Sequence, residues 1–243
     1  MNMKNWQRKL SSGLSYLRRG EFFLLAETLA ARLLPAWLCR MKKSIFYRLD
    51  SNVEHTFRKV DDIEIARGTE SSVTEIVRDL YGNSPQELAF YEQYYHSGIE
   101  PWLARSGGKV VGVIWLYTGS YLAMWEGYDA WLLNVQVEPV GKFFANVLTD
   151  PASRGKGVFT HIAEECFAAY PESPFYTCIE VFNTASIRSH ENVGFRRCAV
   201  AYYVRFFQKT FCLFLPKKGK NQLLMLKRGQ AVEVPLQERH PQL

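Results

Sequence analysis

Apolar residues recur every three or four positions through the first 49 residues of the chain. Trp6, Leu10, Leu14 and Leu17 form one series, Phe22, Leu25, Leu29 and Leu33 a second, and Trp37, Met41, Ile45 and Leu49 a third. That spacing gathers side chains on one face of a helix, so three helical segments are expected, broken at Gly20 and Pro35. Residues 50–60 are polar and read as a linker. Beyond them short apolar runs alternate with helical patterns. Asp62–Ala66 reads as a strand. Thr69-Glu-Ser-Ser starts a helix carrying Val73, Ile76, Val77 and Leu80, which Gly82 ends, and Pro85 opens another with Leu88, Tyr91 and Tyr95 on one side. Trp102–Arg105 and Val110–Tyr117 flank Ser106-Gly-Gly-Lys, a hairpin signature. The aromatic stretch 119–141 yields one expected strand, Trp131–Val137. A strand at Phe143–Leu148, a helix at 157–169, a strand at Phe175–Phe182 and a short helix at Thr184–Val193 follow, the last closed by Gly194. Ala199–Leu215 is long enough for two strands or one bent strand, and Leu223–Leu226 for one more.

Strands and helices alternate through the middle, so an α/β or α+β sheet domain of about 150 residues is expected. The division runs 1–60 as a basic helical extension with its linker, 61–215 as the sheet domain, and 216–243 as a C-terminal strand and tail. Charge reinforces this split. The chain of 243 residues carries a net +6, yet residues 1–49 alone carry +8, so the remainder is slightly acidic. Helices with a basic polar face either lie on an anionic membrane surface or cover the apolar flank of a neighbouring domain. No nucleic-acid motif accompanies the charge, and nucleic acid is not the expected partner. Glu27, Arg32 and Pro35 interrupt Phe22–Cys39, which falls short of the roughly 20 apolar residues of a membrane span. The odd set Cys39, Cys166, Cys178, Cys198 and Cys212 shows no metal spacing; a reducing cytoplasm and no bound metal are the expectations.

Candidate chemistry concentrates at Thr149-Asp-Pro-Ala-Ser-Arg-Gly-Lys-Gly-Val-Phe-Thr-His-Ile-Ala163, where a strand turns into a helix through Arg154, Gly155, Lys156 and Gly157. The first N–H groups of a helix have no internal acceptor, and glycines let an anion approach them closely. The turn therefore reads either as a phosphate cradle or as a tight turn with a solvated Arg and Lys.

Two stretches together resemble the Gcn5-related N-acetyltransferase superfamily. Asp150-Pro-Ala-Ser-Arg-Gly-Lys-Gly-Val-Phe is similar to its acetyl-CoA motif, and Asn183-Thr-Ala-Ser-Ile-Arg-Ser-His-Glu-Asn-Val-Gly-Phe195 to its later helix. The resemblance spans about residues 61–215. It implies a mixed, mostly antiparallel central sheet in a three-layer α+β fold. By position it implies that Arg154, Gly155, Lys156, Gly157, Val158 and Phe159 wrap the CoA pyrophosphate. The edges of Val147 and Thr149 would bond the pantetheine arm, and Asn183 would contact the cofactor. The family's usual tyrosine acid is replaced by His190, which either protonates the departing thiolate or packs beside the cofactor. Glu180, a carboxylate interrupting an apolar strand, is the candidate base, ahead of Glu138 and Glu126; a solvated strand face is its other reading.

The expected function is acetyl-CoA-dependent acylation of a primary amine, with an amino sugar of cell-surface polysaccharide as the preferred acceptor. A cytoplasmic enzyme touching an anionic membrane through residues 1–49 would suit that acceptor. The alternative is a CoA-binding or partner-binding module without turnover.

Overall fold

The computed structural model describes residues 22–34, 39–50, 62–123, 132–207, 209–217, 219–226 and 231–236. Helix α1 (Phe22–Leu33) leads into strand β1 (Cys39–Leu49). Then come β2 (Glu64–Arg67), α2 (Glu70–Leu80), α3 (Pro85–His96), β3 (Glu100–Ser106), β4 (Lys109–Thr118), β5 (Ser120–Ala123) and β6 (Leu132–Gln136). The remaining elements are β7 (Lys142–Thr149), α4 (Val158–Ala169), β8 (Phe175–Glu180), α5 (Thr184–Asn192), β9 (Arg196–Phe206), β10 (Lys209–Pro216), β11 (Gln222–Leu226) and β12 (Ala231–Pro235). The series around Trp6–Leu17, the linker 51–60 and the end of the tail lie outside the described residues.

One nine-stranded sheet runs β11-β10-β9-β1-β8-β7-β4-β3-β2, and a small sheet β12-β6-β5 stands apart from it. Within the large sheet only β7 and β8 pair in parallel. The fold is thus a mixed α+β one with a mostly antiparallel central sheet, as the resemblance implied. Local chemistry explains several elements. Ser72 Oγ accepts from the Thr69 N–H at 3.1 Å and Ser84 Oγ from the Glu87 N–H at 3.4 Å, so both helices start on side-chain caps. Gly107 and Gly108 take positive φ at the β3–β4 hairpin, where a two-residue turn requires it.

The third apolar series corrects the sequence reading. Residues 39–49 form a strand rather than a helix, and the sheet takes in this part of the expected extension. A spacing of four is also an even spacing: Met41, Ile45 and Leu49 share one strand face as readily as one helix face. The run Ile45-Phe46-Tyr47 is β-branched and aromatic, which favours a pleated surface, and it is buried from both sides. Ile45, Tyr47 and Leu49 join the core beneath α4, while Phe46 joins the core on the opposite face. β1 pairs antiparallel with β8 over Ser44–Leu49 and with β9 over Cys39–Arg48, so it fills the slot between them. Tyr47 Oη also donates to Glu191 Oε1 at 3.2 Å, tying β1 to the end of α5.

The core has two faces. Val158, Ile162, Ala163 and Cys166 of α4 press on one with Val193 and Phe195. Val73, Ile76 and Val77 of α2 and Tyr91 of α3 cover Leu103, Val113 and Trp115 on the other. Phe46→Ala removes a fully buried ring from the middle strand, and should cost about 3–5 kcal/mol in denaturant unfolding. A loss under 1 kcal/mol would mean that β1 is not a core strand.

Candidate functional site

β7 and β8 begin side by side and then part. Their pairing covers Lys142–Phe175, Phe143–Tyr176 and Phe144–Thr177 and stops there, although β7 runs on to Thr149 and β8 to Glu180. On the β4 side, Val113 faces Leu148 and Trp115 faces Ala145, which leaves Asn146 and Val147 opposite one residue. This is a β-bulge, and Asn146 adopts φ 45° within it. A bulge bends its strand, and here β7 leaves β8 at the same level. The two strands open like a V. At the closed end Lys142 is buried, donates to Thr118 Oγ1 at 2.9 Å and lies 3.9 Å over the Tyr170 ring, with its ammonium pKa pulled down by burial. Tyr170 in turn donates to Glu100 Oε2 at 2.5 Å.

The strand-to-helix turn stands at the open end. Gly157 is the N-cap of α4 at φ 80°, and Gly155 has φ 77° with nothing within 4 Å of where a Cβ would sit. The first described intrahelical-type bond is His161 N–H to Gly157 O at 3.0 Å. Among the described residues the N–H groups of Gly155, Gly157, Val158, Phe159 and Thr160 find no acceptor. They form a set of bare donors at the positive end of a twelve-residue helix, open to solvent at Gly155. Gly112 brings that helix end down to the sheet, since a Cβ there would lie 2.5 Å from Val158 Cγ1. The Asp150 N–H bonds Val111 O at 2.9 Å, so the Thr149 carbonyl on the same peptide faces away from β4, toward the V. Arg154 Nε reaches that carbonyl at 3.3 Å. Arg154 and Lys156 are both exposed at the rim.

The other wall is the end of β8. Glu180 lies three residues beyond Thr177, the last residue of β8 that pairs with β7. Glu180 is exposed and forms an ion pair with Lys42 of β1. Asn183 follows through a turn, its N–H bonding Glu180 O at 2.9 Å, and its Oδ1 caps α5 by accepting from the Ser186 N–H at 3.1 Å. The structure places Val147 and Thr149 at the end of β7, residues 154–159 in the turn into α4, and Glu180 and Asn183 at and just past the end of the neighbouring β8.

His190 is placed differently from an acid waiting at that opening. It is 1% exposed, packed 4.3 Å from the Phe159 ring and 5.3 Å from Phe195. Nδ1 lies 2.8 Å from the Ser186 carbonyl, which can only accept, so Nδ1 carries the proton; Nε2 is buried without a partner. Burial lowers its pKa to about 4, more than the carbonyl raises it. At neutral pH the ring is uncharged and its one proton is engaged, which is the packing reading. Glu138 is likewise engaged elsewhere, by the Tyr176 hydroxyl and by Arg48 at 3.3 Å. Glu126 lies outside the described residues. Among the described residues no group of three His, Cys, Asp or Glu is placed to hold a metal ion.

Two features of the site escaped the sequence reading. Asn146 was a signal, because asparagine inside an apolar strand tolerates the left-handed conformation of a bulge. Lys42, the partner of Glu180, was hidden by the helical reading of its segment.

The acetyltransferase (GNAT) family model matches residues 71–195. No curated protein matches the sequence. Solved structures do match. A Drosophila protein shares 11% identity at TM-score 0.47, with 79% of this chain aligned to 58% of its own length. A Novosphingobium aromaticivorans protein assigned to the GNAT family shares 15% at TM-score 0.45, covering 74% of this chain and 66% of that one. The GCN5-related glucosamine N-acetyltransferase region of a fungal multi-domain beta-N-acetylglucosaminidase shares 16% at TM-score 0.51, covering 69% of this chain and 21% of that one. The chain therefore spans under two thirds of the length of several of these neighbours.

Acid should find the buried imidazole. Its folded pKa is depressed, so its contribution to stability is present above about 6.5 and is lost as pH falls toward 4. The loss amounts to ~3 kcal/mol at most. His190→Phe should flatten the fall in melting temperature between those pH values; an unchanged profile would place the ring in solvent.

Proposed function

The chain belongs to the acetyltransferase (GNAT) family, and from that premise we propose that it is an N-acetyltransferase moving an acetyl group from acetyl-CoA to a primary amine on a small molecule. The observation that carries this reading is the V between β7 and β8 with bare N–H groups at its mouth. The cradle fits the cofactor's diphosphate: a Cβ-free, positive-φ glycine faces open space beside unpaired donors at a helix N-terminus. In this reading the N–H groups of Gly155, Gly157, Val158 and Phe159 hold the pyrophosphate, with Arg154 and Lys156 adding charge at the rim. The Val147 edge, on the side where the strands part, and the Thr149 carbonyl, where Arg154 Nε sits at 3.3 Å, take the amides of the pantetheine arm, and Asn183 borders it. When bound, acetyl-CoA supplies an acyl carbon activated by its thioester. In this reading Glu180, exposed at the end of β8, draws a cationic amine toward the opening.

The finer acceptor is an amino sugar, as in cell-surface polysaccharide synthesis. Tyr94, Tyr117 and Tyr121 form a half-buried ring array, with Tyr94–Tyr117 at 5.8 Å and Tyr117–Tyr121 at 5.1 Å. Tyr121 stacks on Phe143 at 4.0 Å, next to where β7 leaves β8. Sugars lay their C–H faces on such rings. A fold relative also bears the name of a glucosamine N-acetyltransferase. Five free thiols suit a reducing compartment such as the cytoplasm, and the basic leader suits an anionic membrane face. The closed-in state of His190 favours a second reading, a CoA-binding module without turnover.

The deciding experiment follows thiol release from acetyl-CoA in the presence of amino sugars, polyamines and peptides. Release with an amino sugar is expected; tight CoA binding with no release from any amine would establish the module instead. Gly155→Asp puts a carboxylate in the cradle, at a positive φ that strains any side chain but aspartate less than most. It should weaken acetyl-CoA at least about tenfold by calorimetry while the protein stays folded with a modestly lower melting temperature, since one repelled charge is worth about 1.4 kcal/mol or more at close range. Unchanged affinity would remove the pyrophosphate from this turn.

A further inference from the structure

The last three strands at one end of the large sheet, β9, β10 and β11, are apolar on both faces. Ala201 and Tyr203 of β9, Cys212 and Phe214 of β10 and Leu226 of β11 are buried in one core with Val135 and Val234 of the small sheet. The alternate side chains stand on the opposite face. The register lines them up in two rows across the strands, one of Val204, Phe211 and Met225, the other of Tyr202, Leu213 and Leu223. Helix α1 covers the β9 side of this face, where Phe23 meets Tyr202 edge-on at 4.7 Å. The β10 and β11 side is open: Leu213 is 37% exposed, Met225 51% and Leu223 73%. Phe23, Tyr202, Phe211 and Leu223 are among the side chains lining a trough of about 370 Å³ there. An antiparallel sheet with one face in water normally alternates apolar with polar residues, and these strands do not.

The charges around this patch have a single sign. Between Glu191 and Glu233 the chain carries nine Lys and Arg and no acid. Alternation along β10 puts Lys209 and Lys217, both exposed, on the same face as Phe211 and Leu213, one at each end of the strand. Lys220 is exposed in the turn to β11. At the tip of the β9–β10 hairpin Phe206 and Phe207 stand about half exposed with their rings 4.7 Å apart, and Arg205 Nε donates to Phe207 O at 2.9 Å. Apolar side chains gathered in water on this scale mark a surface that meets a partner.

The partner must be apolar where it meets the two rows and anionic around them. A second copy joined through the same patch would set one positive surround against another. Residues 1–20, with five Lys and Arg and no acid, carry the same sign. An anionic bilayer has both required properties. We propose that the open face and hairpin tip of β9, β10 and β11 dock on an anionic lipid membrane. Phe206, Phe207, Leu223 and Met225 enter the boundary between headgroups and acyl chains, while Lys209, Lys217 and Lys220 meet lipid phosphates. The contact belongs to the folded sheet, separately from the basic leader, and does not depend on turnover of acetyl-CoA.

The test sediments the full chain with vesicles of phosphatidylcholine, alone or mixed with phosphatidylglycerol. Binding to the anionic vesicles and not to the neutral ones is expected, and it should weaken as salt rises. Leu223→Ser/Met225→Ser and Lys209→Glu/Lys217→Glu replace exposed side chains, so both proteins should melt close to the parent. Each should bind the anionic vesicles at least about tenfold more weakly. Hydrogen–deuterium exchange locates the contact without any substitution: anionic vesicles should protect residues 204–226 of the parent chain. A parent chain that ignores anionic vesicles overturns the proposal. Binding that both variants keep, with protection confined to residues 1–49, overturns it and gives the membrane to the leader. A concentration-dependent dimer that Leu223→Ser/Met225→Ser dissociates, with no vesicle protection of residues 204–226, overturns it and gives the face to a second copy.

Discussion

A strand cannot abandon its neighbour inside a protein unless its backbone groups are bonded elsewhere, and that constraint governs this fold. β8 leaves β7 after Thr177 yet continues three residues to Glu180. It can do so because β1 bonds its other edge from Phe175 to Glu180. β1 is in turn held by β9 over ten residues, and Tyr47 fastens it to Glu191. The opening between β7 and β8 is therefore a rigid gap with one satisfied wall. Past Thr177 the inner edges no longer pair with each other, and an extended ligand arm with its own amides fits such a gap.

The electrostatics of the gap follow from the same economy of partners. Its positive character comes chiefly from backbone N–H groups fixed by glycine geometry, while Arg154 and Lys156 are exposed side chains whose fields salt screens. Fixed dipoles need no reorganisation when an anion arrives. Across from these groups the end of β8 carries Glu180, exposed and paired with Lys42 of β1. His190 of α5, buried against Phe159 of α4, is an uncharged ring whose one proton is engaged.

Much of this was legible in residues. The glycine turn and the Gly194 stop rest on local conformational rules, and the structure has both. The strand at Phe143–Leu148 was equally plain. What local rules could not supply was anything decided by distant pairing. Residues 39–49 carry a pattern compatible with both periods, and only the vacancy between β8 and β9 selects the strand. What His190 touches turns on which way a helix face is buried.

The position of β1 also bears on how the chain acquires its shape. Its partners, Phe175–Glu180 and Arg196–Phe206, lie well over a hundred residues downstream. During synthesis β1 emerges early and waits, with Ile45, Phe46 and Tyr47 exposed, until those segments appear. Non-local pairing of this kind is slow, because the loop must close before any contact rewards it. The hairpin β3–β4 and the helices α2 and α3 are local and can form first. The gap between β7 and β8 is thus among the last parts of the molecule to be defined, and an unpaired β1 is the segment most open to capture by another chain in the interval.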